Sequence, residues 1–124
     1  MGTIANGEYC TKLAGESLAA SQYRFVTLSN DTVIRSTTAD KAYGILQNAP
    51  ASGEKAQVKC FGESLLETTS GGGLAVNVLV APNATTGIGR AATTGDFVRG
   101  IVTKATTSTT GLVVVRLFDS PKAL

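Results

Sequence analysis

The chain has 124 residues, of which 16% are charged, and its formal net charge at pH 7 is +2. Thr, Ala, Gly and Ser supply 56 of these residues, and there is no His or Trp. The length suits a single domain with one core. The absence of His excludes serine–histidine and cysteine–histidine catalytic pairs and removes the commonest metal ligand, and the small net charge argues against a dedicated nucleic-acid binder.

The N-terminal segment contains large apolar side chains that have no obvious strand partner in the sequence. They are Ile4, Tyr9, Leu13 and Leu18. We therefore interpret residues 1–22 as an N-terminal arm that gains order by lying on a partner. Within it, residues 14–22 fit one or two helical turns or an extended conformation equally well. The segment lacks the basic and apolar regions of a secretory signal, so we expect a protein made in a cytoplasm.

After residue 22 most of the sequence is typical of short β-strands, because β-branched and aromatic residues are separated by turn residues. Residues 23–36 predict a hairpin that turns at Asn30 and Asp31. Further strands are predicted over residues 42–47, 56–61 with its continuation 63–67, 74–80, 96–103 and 112–118. Asp31, Asp40 and Asp96 occupy turn positions, where aspartate side chains commonly cap backbone amides. No later segment keeps a helical apolar period over three turns, so the sequence predicts an all-β fold.

An internal repeat relates residues 36–61 to residues 92–117 at a shift of 56 positions. Eight of the 26 positions match, among them Asp40 with Asp96, Gly44 with Gly100, Ile45 with Ile101 and Val58 with Val114. We expect two similar β-units, at about residues 23–67 and 74–118, to form one small barrel or sandwich domain over residues 23–124, because neither unit alone can bury its apolar face. The paired strand glycines then mark a bulge or a close backbone approach. Chance similarity in a Thr- and Ala-rich chain is the alternative.

The two cysteines, Cys10 and Cys60, lie 50 positions apart without any CxxC motif. This spacing excludes the usual zinc-binding and thioredoxin-like motifs. We expect two free thiols in a reducing compartment, and a single bridge between them is the alternative. The longest purely apolar runs, such as residues 113–115, are far too short to span a bilayer.

No group of residues predicts catalysis, a cofactor or a metal site. Glu63 and Glu67 would lie on one face of a strand about 13 Å apart, too far for an acid–base pair. Residues 87–92 match the dinucleotide fingerprint, but the helix that this motif requires would be barely one turn long. Tyr23 and Phe25 beside an arginine could stack on bases, although packing in the core is the favoured interpretation.

Seven segments of the chain are similar, in their order and spacing, to one known family. They are residues 14–20, 23–29, 38–46, 49–54, 58–62, 98–102 and 112–116. In these segments the chain resembles the head decoration, or capsid cement, proteins of tailed bacteriophages. No single motif carries the resemblance. The chain departs from the family at residues 108–111, where Ser-Thr-Thr-Gly replaces the Gly-Glu that often precedes the last strand.

The resemblance implies a small β-barrel or sandwich protein without enzymatic activity. Such a protein binds the outer surface of the expanded phage capsid lattice and stabilises it, so it is found on the virion after synthesis in the bacterial host cytoplasm. The implied partners are the phage major capsid protein and further copies of the chain, with a trimer favoured, and there is no implied nucleic acid, membrane, substrate or cofactor. The candidate capsid contacts are Ile4, Tyr9, Leu13 and Leu18. A ligand-binding β-barrel for an oligonucleotide or a glycan is the alternative function.

Overall fold

A computed structural model describes residues 8–36, 41–68, 74–83, 86–105 and 111–118. These residues form nine β-strands and no helix, which confirms the predicted all-β fold. The strands are β1 (Glu8–Ala14), β2 (Phe25–Ser29), β3 (Thr32–Arg35), β4 (Gly44–Leu46), β5 (Lys55–Glu67), β6 (Leu79–Pro82), β7 (Gly89–Ala91), β8 (Gly100–Lys104) and β9 (Leu112–Leu117). Within the described part of the chain, no helix could span a membrane.

The first five strands form a closed barrel. β3, β2, β4 and β5 are joined by antiparallel pairings, and β1 closes the ring by pairing in parallel with β3 and antiparallel with β5. The hairpin predicted at residues 23–36 is confirmed as β2 and β3, which turn at Asn30 with φ 56°. Closure leaves β1 without a free edge, so this part of the sheet offers no strand for edge-to-edge pairing.

The later strands repeat the order of the earlier ones. β7, β6, β8 and β9 lie side by side as β3, β2, β4 and β5 do, and every pairing is again antiparallel. Residues 62–67 of β5 pair antiparallel with β9, and the next residue, Thr68, makes a parallel bridge with Gly89 in β7. The second half of β5 therefore takes the place that β1 holds in the barrel. We call β1–β4 with residues 55–61 the first unit, and residues 62–67 with β6–β9 the second unit.

The ladder registers show which residues are equivalent in the two units. Val26 pairs with Gly44, and Val80 pairs with Gly100, so the matched glycines occupy the same position. A Cβ atom at Gly44 would collide with the carbonyl oxygen of Lys59, and one at Gly100 would lie 2.9 Å from the carbonyl oxygen of Arg116. Both sites are thus close backbone approaches to the next strand, as the repeat predicted, and neither glycine has a positive φ.

β5 passes from one unit to the other at Gly62, whose φ is +92°. Its pairing with β4 ends at Lys59, and its pairing with β9 begins at Gly62 against Leu117. A side chain is strained in this left-handed region, so glycine allows the strand to turn from the first ladder into the second. The junction between units lies inside a strand, whereas the sequence placed the units at about residues 23–67 and 74–118.

Two buried clusters fill the molecule, and the strand alternation distributes residues between them. The first unit encloses Ala14, Leu18, Val26, Val33, Leu46, Ala56, Val58 and Cys60. The second cluster contains Leu66, Val80, Val102, Val113, Val115 and Leu117 together with Phe25, Ala42 and Ile45. These last three residues come from the first unit. Phe25 and Ile45 reach the second cluster because alternate side chains of β2 and β4 point to opposite faces, and Ala42 lies just before β4. The units therefore share apolar packing and form one body.

Several predicted elements differ from the structure. The strand predicted at residues 74–80 begins only at Leu79, because Asn77 lies in a turn with φ 76°. Residues 15–22 form bends and turns, not a helix. The strands β1 and β7 were not predicted. Asp40, which was expected to cap a turn, lies outside the described residues.

Candidate functional site

The described part of the predicted arm belongs to the barrel, so the expectation that it lacks strand partners is wrong. Leu18 is 1% exposed and packs in the core of the first unit, which removes it as a surface contact. Tyr9 and Leu13 are 52% and 49% exposed. They lie on the same face of β1, since alternate residues of a strand share a face. We call this pair the β1 face. Ile4 lies outside the described residues.

Cys10 and Cys60 form a disulfide bridge, so the expectation of two free thiols is wrong. The cause is the unpredicted pairing of β1 with β5. Cys10 lies opposite Val58, and Cys60 is two residues further along, which brings the two Cα atoms to 6.1 Å. This separation is typical of bridged cysteines. The bond ties the closing strand to the rest of the first unit.

An open groove of about 290 Å³ lies beside the bridge. It is lined by Cys10, Thr27, Leu28, Lys41, Ala42, Tyr43, Cys60, Phe61 and Arg99. Leu28 and Phe61 are 45% and 46% exposed, a large fraction for apolar side chains on strands. We call this site the Phe61 groove. It is mainly apolar, and the first unit supplies all of the lining except Arg99.

Three positively charged groups lie near aromatic rings in and around this groove. The Lys59 Nζ is 5.0 Å from the centre of the Tyr9 ring, and the Arg99 guanidinium carbon is 5.9 Å from the centre of the Phe61 ring. Lys41 Nζ is 6.0 Å from the centre of the Phe97 ring. Such placements are attractive because the ring face carries negative electrostatic potential.

Arg99 connects the two units beneath the groove. Its Nε donates to the carbonyl oxygen of Ala42 at 2.9 Å, and its Nη2 donates to those of Tyr43 and Cys60, each at 2.8 Å. The residue is buried, so these charge-assisted bonds are shielded from water. Arg99 thereby fixes the backbone of the groove wall from the second unit.

Three acidic side chains of the second unit and its junction, Glu63, Glu67 and Asp96, have structural partners. Asp96 accepts two hydrogen bonds from Arg90, at 2.7 and 2.8 Å, and caps the amide of Thr93 at 2.7 Å. The hydrogen bonds from Arg90 are the main reason that the pKa of Asp96 falls to about 2. Glu67 pairs with Arg24 at 2.9 Å, and Glu63 accepts from Thr103 at 3.0 Å. The two glutamates thus have separate partners. The expected capping role of Asp96 is confirmed.

Two other sequence patterns have structural explanations. Phe25 is completely buried in the second core cluster, so it cannot stack on bases, and the core interpretation is confirmed for this residue, whereas Tyr23 is only partly buried. Residues 89–91 of the dinucleotide-like motif form strand β7, so the helix needed for a pyrophosphate site is absent there. No group of three or more potential metal ligands occurs among the described residues.

The sequence alone did not predict the Phe61 groove, because its lining comes from three strands, β1, β2 and β5, and from two connecting segments. One local signal was present. Val58 and Cys60 face the core from β5, so Phe61 lies on the opposite face with Gln57 and Lys59.

Comparison with solved structures identifies a protein of similar fold. The crystal structure of the head fiber gp8.5 N base in bacteriophage phi29 matches with a TM-score of 0.65 and 14% sequence identity, over 94% of this chain and 97% of that chain. At this identity the match shows a shared fold. No protein-family model matches the chain, and no curated protein matches it in sequence.

Proposed function

We propose that the protein is a structural component of a phage virion that binds the outer surface of the expanded capsid lattice and stabilises it. The observation that carries this proposal is the fold shared with the N base of a phage head fiber over nearly the whole chain. The family resemblance of the sequence segments supports the same class independently. The proposed partner is the major capsid protein, and the proposed assembly is a trimer.

The surface of the protein suits adhesion. Tyr9 and Leu13 project from a strand that is hydrogen-bonded on both sides and tied by a disulfide. A contact on such a rigid strand loses little conformational entropy when it forms. Burying a few hundred Å² of apolar area contributes several kcal/mol at roughly 25 cal/mol per Å². Joining three copies would raise the effective concentration of each contact, so weak individual contacts become durable.

Sedimentation with purified expanded heads that lack the chain tests the proposal. We expect saturable binding and slower release of DNA when the decorated heads are heated. Tyr9→Ser and Leu13→Ser should weaken binding without unfolding the protein, because both side chains are about half exposed. Val76→Ser, at another apolar side chain of similar exposure (49%), is the matched control. Absence of binding by the folded wild-type chain would overturn the proposal.

The alternative function, a ligand-binding barrel, has a specific feature in its favour, namely the open apolar groove beside Phe61. Its volume lies at the lower end of ligand pockets, which suits a single sugar ring better than an oligonucleotide. Titration with short oligosaccharides and oligonucleotides, followed by chemical shifts of Phe61 and Leu28, tests it. Saturable shifts with any of these compounds would favour the alternative over lattice adhesion.

A further inference from the structure

We propose that the Phe61 groove docks an extended segment of the capsid protein, which inserts one large apolar side chain between Leu28 and Phe61 and places a carboxylate beside Lys41. This inference rests on the proposed function and assigns the part of the surface that recognises the partner. It is drawn from the difference between the two units, the charges of the groove and its rigid construction.

The second unit shows that the fold does not require an open groove at this position. By ladder register, Leu28 is equivalent to Pro82, Thr27 to Ala81, and Phe61 to Phe118. Pro82 and Ala81 are buried, and Phe118 is partly buried.

The equivalent first-unit side chains, Leu28 and Phe61, are each nearly half exposed. The same β-architecture therefore packs this position in one unit and leaves it open in the other. An exposed apolar site that the fold can close is typical of a surface kept for a partner.

The lining of the groove defines the chemistry of the occupant. Its walls carry Leu28, Tyr43 and Phe61, and its charged members are Lys41 and Arg99, with no carboxylate among the described lining residues. Arg99 is buried behind the wall, whereas Lys41 is exposed at the rim. An apolar side chain next to an acidic group complements this arrangement, because the side chain fills the groove and the carboxylate faces positive charge.

The size and rigidity of the groove favour one anchoring side chain. Its volume of about 290 Å³ is smaller than most pockets for whole ligands. The Cys10–Cys60 bridge forms part of the lining, and Arg99 holds the carbonyl groups of Ala42, Tyr43 and Cys60. A groove fixed in this way needs no rearrangement before it binds, so more of the contact energy appears as affinity.

Binding of groove variants to purified expanded heads that lack the chain tests the inference. Leu28→Ser and Phe61→Ser should each weaken binding at least tenfold, and Lys41→Glu should weaken it severalfold. Val76→Ser controls for loss of an exposed apolar group, and Lys55→Glu, an exposed cation outside the groove lining, controls for the change in net charge. Thermal melts verify that each variant is folded. Leu28→Ser keeps the Arg99–Phe61 contact, so weaker binding by this variant cannot be attributed to the loss of that contact.

Each outcome is decisive. Weakening by the three groove variants, with both controls unchanged, supports the inference. If the wild-type chain binds and the groove variants bind equally well, the groove inference is overturned while the proposed function stands. If only the apolar variants weaken binding, the carboxylate beside Lys41 is refuted. If the wild-type chain does not bind heads, the proposed function fails and this inference fails with it.

Discussion

Arg99 is the residue on which the contact between the units depends most directly. Replacing it with Met keeps much of its volume but leaves the buried carbonyl groups of Ala42, Tyr43 and Cys60 without their donor. Because each unsatisfied buried acceptor is unfavourable, we expect Arg99→Met to lower the free energy of unfolding by about 3 kcal/mol or more. Urea denaturation measures this change. Arg116→Met, at an exposed arginine, should change stability by no more than about 0.5 kcal/mol.

Asp96 makes the stability of the protein depend on pH in the acidic range. Its pKa is about 2 in the folded state, below the ordinary value of 3.8, chiefly because Arg90 donates hydrogen bonds to the carboxylate. A lowered folded-state pKa stabilises the protein above about pH 4, and this contribution disappears as the pH falls towards 2.

We expect the free energy of unfolding of the wild type to be about 2 kcal/mol higher than that of Asp96→Asn at pH 6. This difference should shrink steadily below pH 4. Denaturation curves of both proteins between pH 6 and pH 2 provide the measurement. A difference that does not vary with pH would contradict the assignment of this carboxylate as the titrating group.

Gly44 and Gly100 are required by contact rather than by backbone conformation. Any side chain at these positions meets the carbonyl group of the adjacent strand, and at Gly44 it also meets Val58. We expect Gly44→Val and Gly100→Val to lower stability by about 1–3 kcal/mol, with the larger effect at Gly44. Thermal melts of both variants, compared with the melt of Ala51→Val at an exposed position, test this prediction. If both glycine variants were as stable as Ala51→Val, the close backbone approach at the two positions would be refuted.

Among the elements, β1 closes the first unit as a separate strand, whereas the second unit is closed by residues 62–67, which continue a strand of the first unit. The Cys10–Cys60 bridge compensates for this difference by tying β1 to β5. Reducing it should lower stability by roughly 2–4 kcal/mol, because the bridge closes a 50-residue loop of the unfolded chain. Denaturation with and without reductant measures the loss. Cys10→Ser should not respond to reductant, and an equally unresponsive wild type would contradict the prediction.

At the scale of the whole molecule, the two units are expected to unfold together. Phe25 belongs to a strand of the first unit but is buried in the core of the second. We expect Phe25→Ala to lower stability by about 3–5 kcal/mol and to reduce hydrogen-exchange protection in β8 and β9 as well as in β2. Tyr9→Ala, at a half-exposed aromatic residue, is the control. Loss of protection confined to the first unit would show that the units are independent.

The all-β class, the β2–β3 hairpin and the relation between Gly44 and Gly100 could be predicted from the order of the amino acids. These conclusions depend on short-range properties, namely alternation, turn residues and local similarity, which can be read without knowing any strand partner. The composition, which lacks His, excluded a histidine-based active site. The role of Tyr9 and Leu13 as contacts stays a prediction, and these side chains are exposed on a paired strand and not on a free arm.

Four features became visible only in the folded protein. They are the strand β1, the Cys10–Cys60 bridge, the burial of Leu18 and the groove shared by Leu28 and Phe61. Each of these features depends on pairing between segments far apart in the chain. A short segment with mixed apolar and polar residues becomes a strand when two neighbours offer their backbone groups, and its own residues do not specify those neighbours. The binding surface could not be predicted for the same reason, since long-range strand register places its residues together.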